Sequence, residues 1–356
     1  MTTKGTHQLR VAIVGGGITG LLIAQGLKKS GFDVAVYERD THLNARNRDW
    51  TMSVHWSLPN LQRLLPESIL ADICTAYTDQ HRSHDAPQPP IPFYDGLTGD
   101  GPVTLNFQDA TGDGEEIEAD LVIGADGTNS KVRRLLLGEE AGAAATSEWS
   151  MYNGTACYGD ADKACFQREA HPLCALAFTE HGLAFCGIQD VPDPDEPSTW
   201  SFNVLRFVRA RSESLAGDAV IRRLKDMSRD ICEPFRSAIR WIPAGSIFFA
   251  TPLRYWVSAP WGNKGGRVAL AGDAAHAMLP SRGQGMNHAL EDAGRLVAQM
   301  ERVRRGIGLS EAMKAYEEEV VERGRDAVVQ SLEDCKANTR VGESGRTRLA
   351  TKGLRA

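Results

Sequence analysis

The 356 residues carry 40 Lys and Arg against 46 Asp and Glu, for a formal net charge of −6, with 42% hydrophobic and 24% charged residues. This length suits one large or two medium domains of an ordinary globular protein. The acidic balance, without a Lys/Arg-dense run, argues against a nucleic-acid partner, and no apolar run approaches bilayer-spanning length.

The N-terminus, MTTKGTHQLR, lacks an apolar core and does not read as a secretory signal. The seven cysteines are odd in number and form no C-x-x-C pair, so free thiols in a reducing, cytoplasmic setting are expected and a metal site is not.

In chain order, Val11–Val14 is four apolar residues, the pattern of a strand buried on both faces. Gly15, Gly17 and Gly20 follow in G-x-G-x-x-G register. Such a turn needs Gly15 for its dihedrals, Gly17 for backbone approach to a pyrophosphate and Gly20 for close helix–strand packing. A helix from near Ile18 would point its free N–H groups at phosphates. Strand Val34–Tyr37 ends in Glu38, 18 positions after Gly20, where a carboxylate accepts hydrogen bonds from ribose hydroxyls.

Residues 84–101 are loop-like, with prolines at 87, 89, 90 and 92 and glycines at 96, 99 and 101. Val103–Phe107 alternates like a strand, and Glu115–Glu118 would pair back on it across a DATGDG turn. Leu121–Ala125 is a further buried strand, delivering Asp126 and Gly127, then Ser130 and Arg133. This is a turn at a strand's carboxyl end, where open α/β sheets bind ligands, and an Asp-Gly turn capping a helix through Asp126 or Ser130 fits the same residues.

From about Trp149 the texture turns to strands. ALAFTEHGLAFCGI reads as two strands joined at His181-Gly182, WSFNVLRFV as another, and Ala219–Arg236 as a helix. Arg267–Leu270 returns to buried-strand texture and delivers Gly272-Asp273. Pro280 and Gly283-Gln-Gly285 then lead into a helix from near Met286. The Asp273 carboxylate would hold polyol hydroxyls, and free amides at that helix start would stabilise negative charge on a ring oxygen. Residues 286–302 and 309–329 are predicted helical, and the polar tail 341–356 poorly ordered.

The three motifs, in this order, resemble those of the single-component FAD-dependent aromatic hydroxylases, the para-hydroxybenzoate and salicylate hydroxylase type. They are Gly15-x-Gly17-x-x-Gly20 with Glu38, Asp126-Gly127 with Ser130 and Arg133, and Gly272-Asp273-Ala-Ala-His276 with Pro280 and Gly283-Gln-Gly285-Met286-Asn287. The resemblance implies an α/β fold: a Rossmann-like FAD-binding domain with an inserted mixed, largely antiparallel substrate domain. Expected bounds are 8–148 and 258–340 for the first and 149–257 for the second. It further implies FAD as cofactor, NAD(P)H as co-substrate, and insertion of one oxygen atom into an aromatic or polyketide-like small molecule. By motif, Glu38 would bind the adenosine ribose, Asp273 the ribityl or ribose hydroxyls, and amides around Gly285, Met286 and Asn287 the flavin's pyrimidine edge. Asp126 and Gly127 would serve FAD and the nicotinamide jointly.

One departure stands out. The family normally carries a helix beginning with a flavin-contacting arginine, followed by a parallel strand, before the Asp-Gly motif. Here YDGLTGD runs directly into GPVTLNF, and Arg63 and Arg82 are the nearest upstream arginines, so that strand and helix are expected to be absent near 95–103. An incomplete gene model or a diverged member would each produce this. A degenerate FAD-fold protein without turnover, or a flavin-dependent reductase or halogenase, are the alternatives. Arg240-Trp-Ile-Pro243 keeps only the second half of the halogenase W-x-W-x-I-P motif.

Weaker candidates are His276, as loop-ordering residue or base, and Trp50, His55 and Trp56 as cavity lining. Arg46 and Arg48 are candidates near phosphate, and Tyr152 and Tyr158 for orienting a phenolic substrate.

Overall fold

The buried run Val11, Ala12 and Ile13 forms the centre of β1 (Arg10–Val14), and the glycine turn after it reverses the chain into α1 (Ile18–Lys29). A computed structural model describes residues 9–42, 45, 52, 54–81, 103–108, 114–170, 173–179, 182–210, 215–229 and 231–338. After α1 come β2 (Asp33–Tyr37), α2 (Leu58–Leu64) and α3 (Glu67–Ala71). The hairpin β3 (Val103–Gln108) and β4 (Gly114–Ala119) pairs antiparallel as the alternation predicts, and β5 (Leu121–Gly124) is buried at every position.

Next are α4 (Lys131–Leu137), β6 (Ala145–Cys157), α5 (Ala161–Ala170), β7 (Cys174–Thr179), β8 (Gly182–Asp190) and β9 (Ser201–Val208). The single helix predicted over 219–236 is instead two, α6 (Asp218–Asp226) and α7 (Phe235–Arg240). Pro234, which supplies no N–H and sterically opposes a helical residue before it, stands as the N-cap of α7 and keeps that helix from extending back toward α6. The last elements are β10 (Phe248–Tyr255), β11 (Val268–Leu270), α8 (Asp273–His276), α9 (Gly285–Arg304) and α10 (Leu309–Asn338).

The described strands form a parallel sheet of order β11-β5-β1-β2, an antiparallel sheet of order β10-β6-β9-β8-β7, and the β3–β4 hairpin. This is a Rossmann-like layer with a largely antiparallel second sheet inserted between β5 and β11. The parallel sheet packs on α1, α9 and α10 through Ile13, Ile23, Leu27, Leu270, Leu296 and Val320, all fully buried. Its edge strand β2 pairs only with β1 among the described residues and is half-exposed along its length. The strand and helix expected to be absent near 95–103 cannot be placed on this edge, because the tail 341–356 and most of the 95–103 junction lie outside the described residues.

The antiparallel sheet has two differently covered faces. Tyr152, Ala184, Phe202 and Val204 pack against α6 and α7, whereas Trp149, Met151, Leu183 and Phe207 pack against Leu279 and Cys335 of the parallel-sheet unit. No helix among the described residues is long and apolar enough to cross a membrane, and all seven cysteines are free.

Candidate functional site

Gly15 adopts φ +113, and a Cβ there would lie 2.4 Å from the Ala125 carbonyl oxygen; a Cβ on Gly20 would lie 2.0 Å from the Gly15 carbonyl oxygen. These two glycines are therefore fixed by the fold. Gly17 differs: as N-cap of α1 it has φ −72 and ψ 176, and a Cβ there meets nothing within 4 Å. The open space in front of Gly17, at the positive end of a twelve-residue helix, fits a phosphate group. Glu38 lies beside the same turn, its carboxylate accepting from the Gly16 amide at 2.6 Å and the Asp40 amide at 2.9 Å.

The second and third motifs meet each other. Thr128 Oγ1 donates to Asp273 Oδ2 at 2.8 Å, and Arg133 donates to the carbonyls of Thr128 (2.7 Å), Gly142 (2.8 Å) and Ala274 (2.9 Å). Arg133 is fully buried, its guanidinium lying 4.8 Å from the Trp256 ring centroid; burial draws it down to about 10 against the pull of Asp126 and Asp273. Asp126 takes the capping role that its sequence left open. Its carboxylate accepts from the Lys131 and Val132 amides and from Ser130 Oγ, which in turn accepts from the Arg133 amide. Its neighbour Gly127, at φ +77, has nothing within 4 Å of a Cβ position. Motif three also touches motif one: Gly272, at φ +61, would place a Cβ 2.7 Å from Thr19 Oγ1 of α1.

At the start of α9, Gly285, Met286 and Asn287 present the helix's first amides. Asn287 is buried, and its Oδ1 accepts from the His55 amide and Ser57 Oγ, each at 2.9 Å, holding the 55–57 segment against the helix start. Trp56 donates to Gln284 Oε1 at 2.8 Å and meets His288 edge-on. His55 Nε2 is buried with no hydrogen-bond partner among the described residues, and burial lowers this imidazole's pKa. An orphaned ring nitrogen beside a helix N-terminus fits a polar ring such as an isoalloxazine. Trp50, Arg46 and Arg48 lie outside the described residues.

His276 is not placed to act as a base on a substrate. It is fully buried behind the loop, with Nε2 2.7 Å from Asp292 Oδ2. Asp292 also accepts from the Gly272 amide at 2.6 Å and from Arg323 at 2.6 Å, and Arg323 bonds Glu319 at 2.7 Å. This charge cluster, on α8, α9 and α10, grips the amide immediately before Asp273. Burial raises the Asp292 pKa, but His276 and Arg323 outweigh it and hold the carboxyl near 2. The folded pKa lies below the unfolded value of about 3.9. Its stabilisation is therefore complete above that value and is lost as pH falls through about 2. Urea midpoints of wild type and Asp292→Asn should accordingly differ most above pH ~4 and converge toward pH ~2. A difference independent of pH would contradict this.

Tyr152 and Tyr158 do not face the motifs. Tyr152 is buried in the core under α6 and α7, and Tyr158 stacks on Phe202 and donates to the Ala238 carbonyl at 3.1 Å. On β6 the residues facing the parallel-sheet unit are Trp149, Met151 and, by alternation, Asn153. Two surface cavities, of about 820 Å³ beside Lys264 and Glu318 and about 630 Å³ beside Lys29 and Arg63, lie away from the motifs.

Residues 97–331 match the family model described as FAD binding domain, and residues 13–60 match one described as NAD(P)-binding Rossmann-like domain. The FAD-dependent monooxygenase phnB of Penicillium herquei is 36% identical, with 94% of this chain and 92% of the relative covered. The FAD-dependent monooxygenase cctM of Talaromyces islandicus is 31% identical, with 92% of each covered. The phnB alignment runs over 384 residues, more than the 356 of this chain, so the relative carries residues opposite gaps here. Among solved structures, 2,6-dihydroxypyridine-3-hydroxylase of Arthrobacter nicotinovorans superposes with TM-score 0.67 at 18% identity, covering 93% of both chains. A salicylate hydroxylase superposes at 0.59 and 21%, covering 97% of this chain and 92% of that one. The chain belongs to the FAD binding domain family and is an FAD-dependent monooxygenase.

Proposed function

We propose that this enzyme uses NAD(P)H and oxygen to hydroxylate or epoxidise an aromatic or polyketide-like small molecule. FAD would be held by Gly15, Gly17, Gly20, Glu38, Asp126, Gly127, Asp273, Gly285, Met286 and Asn287. The observation that carries this reading is the convergence of the three motifs, with Thr128 bonding Asp273 and Gly272 seated against Thr19. Gly17 and the first amides of α1 receive the pyrophosphate, and Glu38 exchanges its bond to the Gly16 amide for ribose hydroxyls. Asp126 contributes through its backbone, because its carboxylate caps α4. Amides at the α9 start stabilise negative charge at the ring's pyrimidine edge. When bound, FAD supplies the oxygen chemistry and reduced nicotinamide the electrons.

The domain division proposed is 8–148 with 258–340 for FAD and 149–257 for substrate, and the free cysteines fit a reducing cytoplasm. The test supplies labelled molecular oxygen, NAD(P)H and a phenolic panel to the flavin-loaded protein. One labelled atom in product is expected; oxidised substrate without label would leave a dehydrogenase or oxidase. Asp273→Ala should weaken FAD binding by about 1.5–3 kcal/mol, the worth of a charge-assisted hydrogen bond. Unchanged affinity in a flavin titration would reduce Gly272-Asp273 to a structural turn.

A second reading, an FAD-fold protein without turnover, draws support from β2 pairing only with β1 among the described residues. It differs in one outcome: flavin-loaded protein would consume no NAD(P)H with any substrate.

A further inference from the structure

The antiparallel sheet presents to the parallel-sheet unit a face that closes over Trp149, Met151, Leu183 and Phe207 but opens beyond them. Leu279, next to Pro280 of the third motif, packs on the closed half, so the open half adjoins the same loop. Along that half the central strand β9 carries Leu205, half-exposed although it lies mid-sheet, with half-exposed Phe185 beside it on β8 and half-exposed Phe249 beyond Asn153 on β10. Large apolar side chains on the middle strands of a five-stranded sheet are normally covered; here an apolar wall is left partly open.

Set in this wall are Asn153 and Asn203, each only 5% exposed. The register places Asn153 opposite Leu205 and Thr155 opposite Asn203, so the two amides are diagonal neighbours on one face with Thr155 beside them. Among the described residues neither amide makes a side-chain hydrogen bond. Neither amide is among the fully enclosed polar atoms that lack a partner, so their tips reach the space before the wall, and both groups can donate and accept. Among the described residues of the sheet, no charged side chain shares this part of the face. Arg206 of β9 points to the opposite face, opposite Tyr152, and its guanidinium bonds Thr179. The cations nearer the loop are engaged, Arg254 with Asn129 and Arg282 with Asp334.

Resting on the function proposed above, we infer that Asn153 and Asn203 orient the substrate and that its class is a neutral aromatic bearing keto or hydroxyl oxygens, not an aromatic carboxylate. An apolar wall holds the ring, and paired amides bond oxygens whichever way they donate. A carboxylate would have to be desolvated there without a cation, which strongly disfavours it.

The test compares two probes with the same ring, 2,4-dihydroxyacetophenone and 2,4-dihydroxybenzoate, by calorimetry on the flavin-loaded full chain. FAD content is read first from the absorbance spectrum; a chain that takes up no FAD fails the function proposed above, not this inference. With FAD in place, the ketone should bind at least roughly tenfold more tightly than the benzoate. Asn153→Leu with Asn203→Leu should cost the ketone roughly tenfold and leave FAD content unchanged. A preference for the benzoate in the unaltered protein would overturn the inference. So would failure of both probes to bind, or an undiminished ketone affinity in the double variant. The comparison on unaltered protein stands even if the double variant does not fold.

Discussion

Replacing Gly17 with valine should yield a folded protein that no longer binds FAD. Nothing lies within 4 Å of a Cβ at this position, and its φ of −72 suits any L residue, so the fold has no reason to object. The side chain would instead fill the space through which the pyrophosphate reaches the amides of α1. Losing two charge-assisted hydrogen bonds at about 1.5–3 kcal/mol each weakens binding by at least roughly 100-fold. Gly20→Val is the contrasting control, since its Cβ would lie 2.0 Å from the Gly15 carbonyl oxygen and the turn itself must break. Circular dichroism with a flavin titration separates the two. A Gly17→Val protein that retained FAD would show that the pyrophosphate does not sit on this turn.

The largest stability effect is expected at Arg323. Its guanidinium bonds Asp292 and Glu319 inside a fully buried cluster. Arg323→Met keeps most of the volume but leaves two buried carboxylates facing each other, at a cost of about 3–5 kcal/mol. Because Asp292 also holds the Gly272 amide, FAD affinity should fall together with the unfolding midpoint. An unchanged midpoint in urea would mean the two carboxylates find water or protons at little cost.

The parts of the site legible in the sequence are those dictated by local backbone geometry. Gly15 and Gly20 are fixed by a positive φ and close packing, and Gly272 by a positive φ against Thr19, so each leaves a glycine at a set distance from a buried strand. The substrate wall was not legible in this way. Residues 149–154 of β6 are buried on both faces, so nothing in their alternation tells inward from outward. A shift of one position exchanges Tyr152 for Asn153. Strand β10 is hard to read from sequence because Pro252 argues against a strand; it sits where the register shifts, on an edge strand that tolerates it. The Asp292–Arg323 pair joins two helices 31 positions apart, a distance over which helical periodicity carries no pairing information.

The convergence of the three motifs makes one measurement decisive: titration of FAD into the purified chain, followed through the flavin absorbance band and then through its response to NAD(P)H. The three-motif site predicts saturable uptake of one FAD per chain. Without oxygen, NAD(P)H should bleach the band, and readmitted oxygen should restore it. Failure to take up FAD, in a chain that is otherwise folded, would contradict the site.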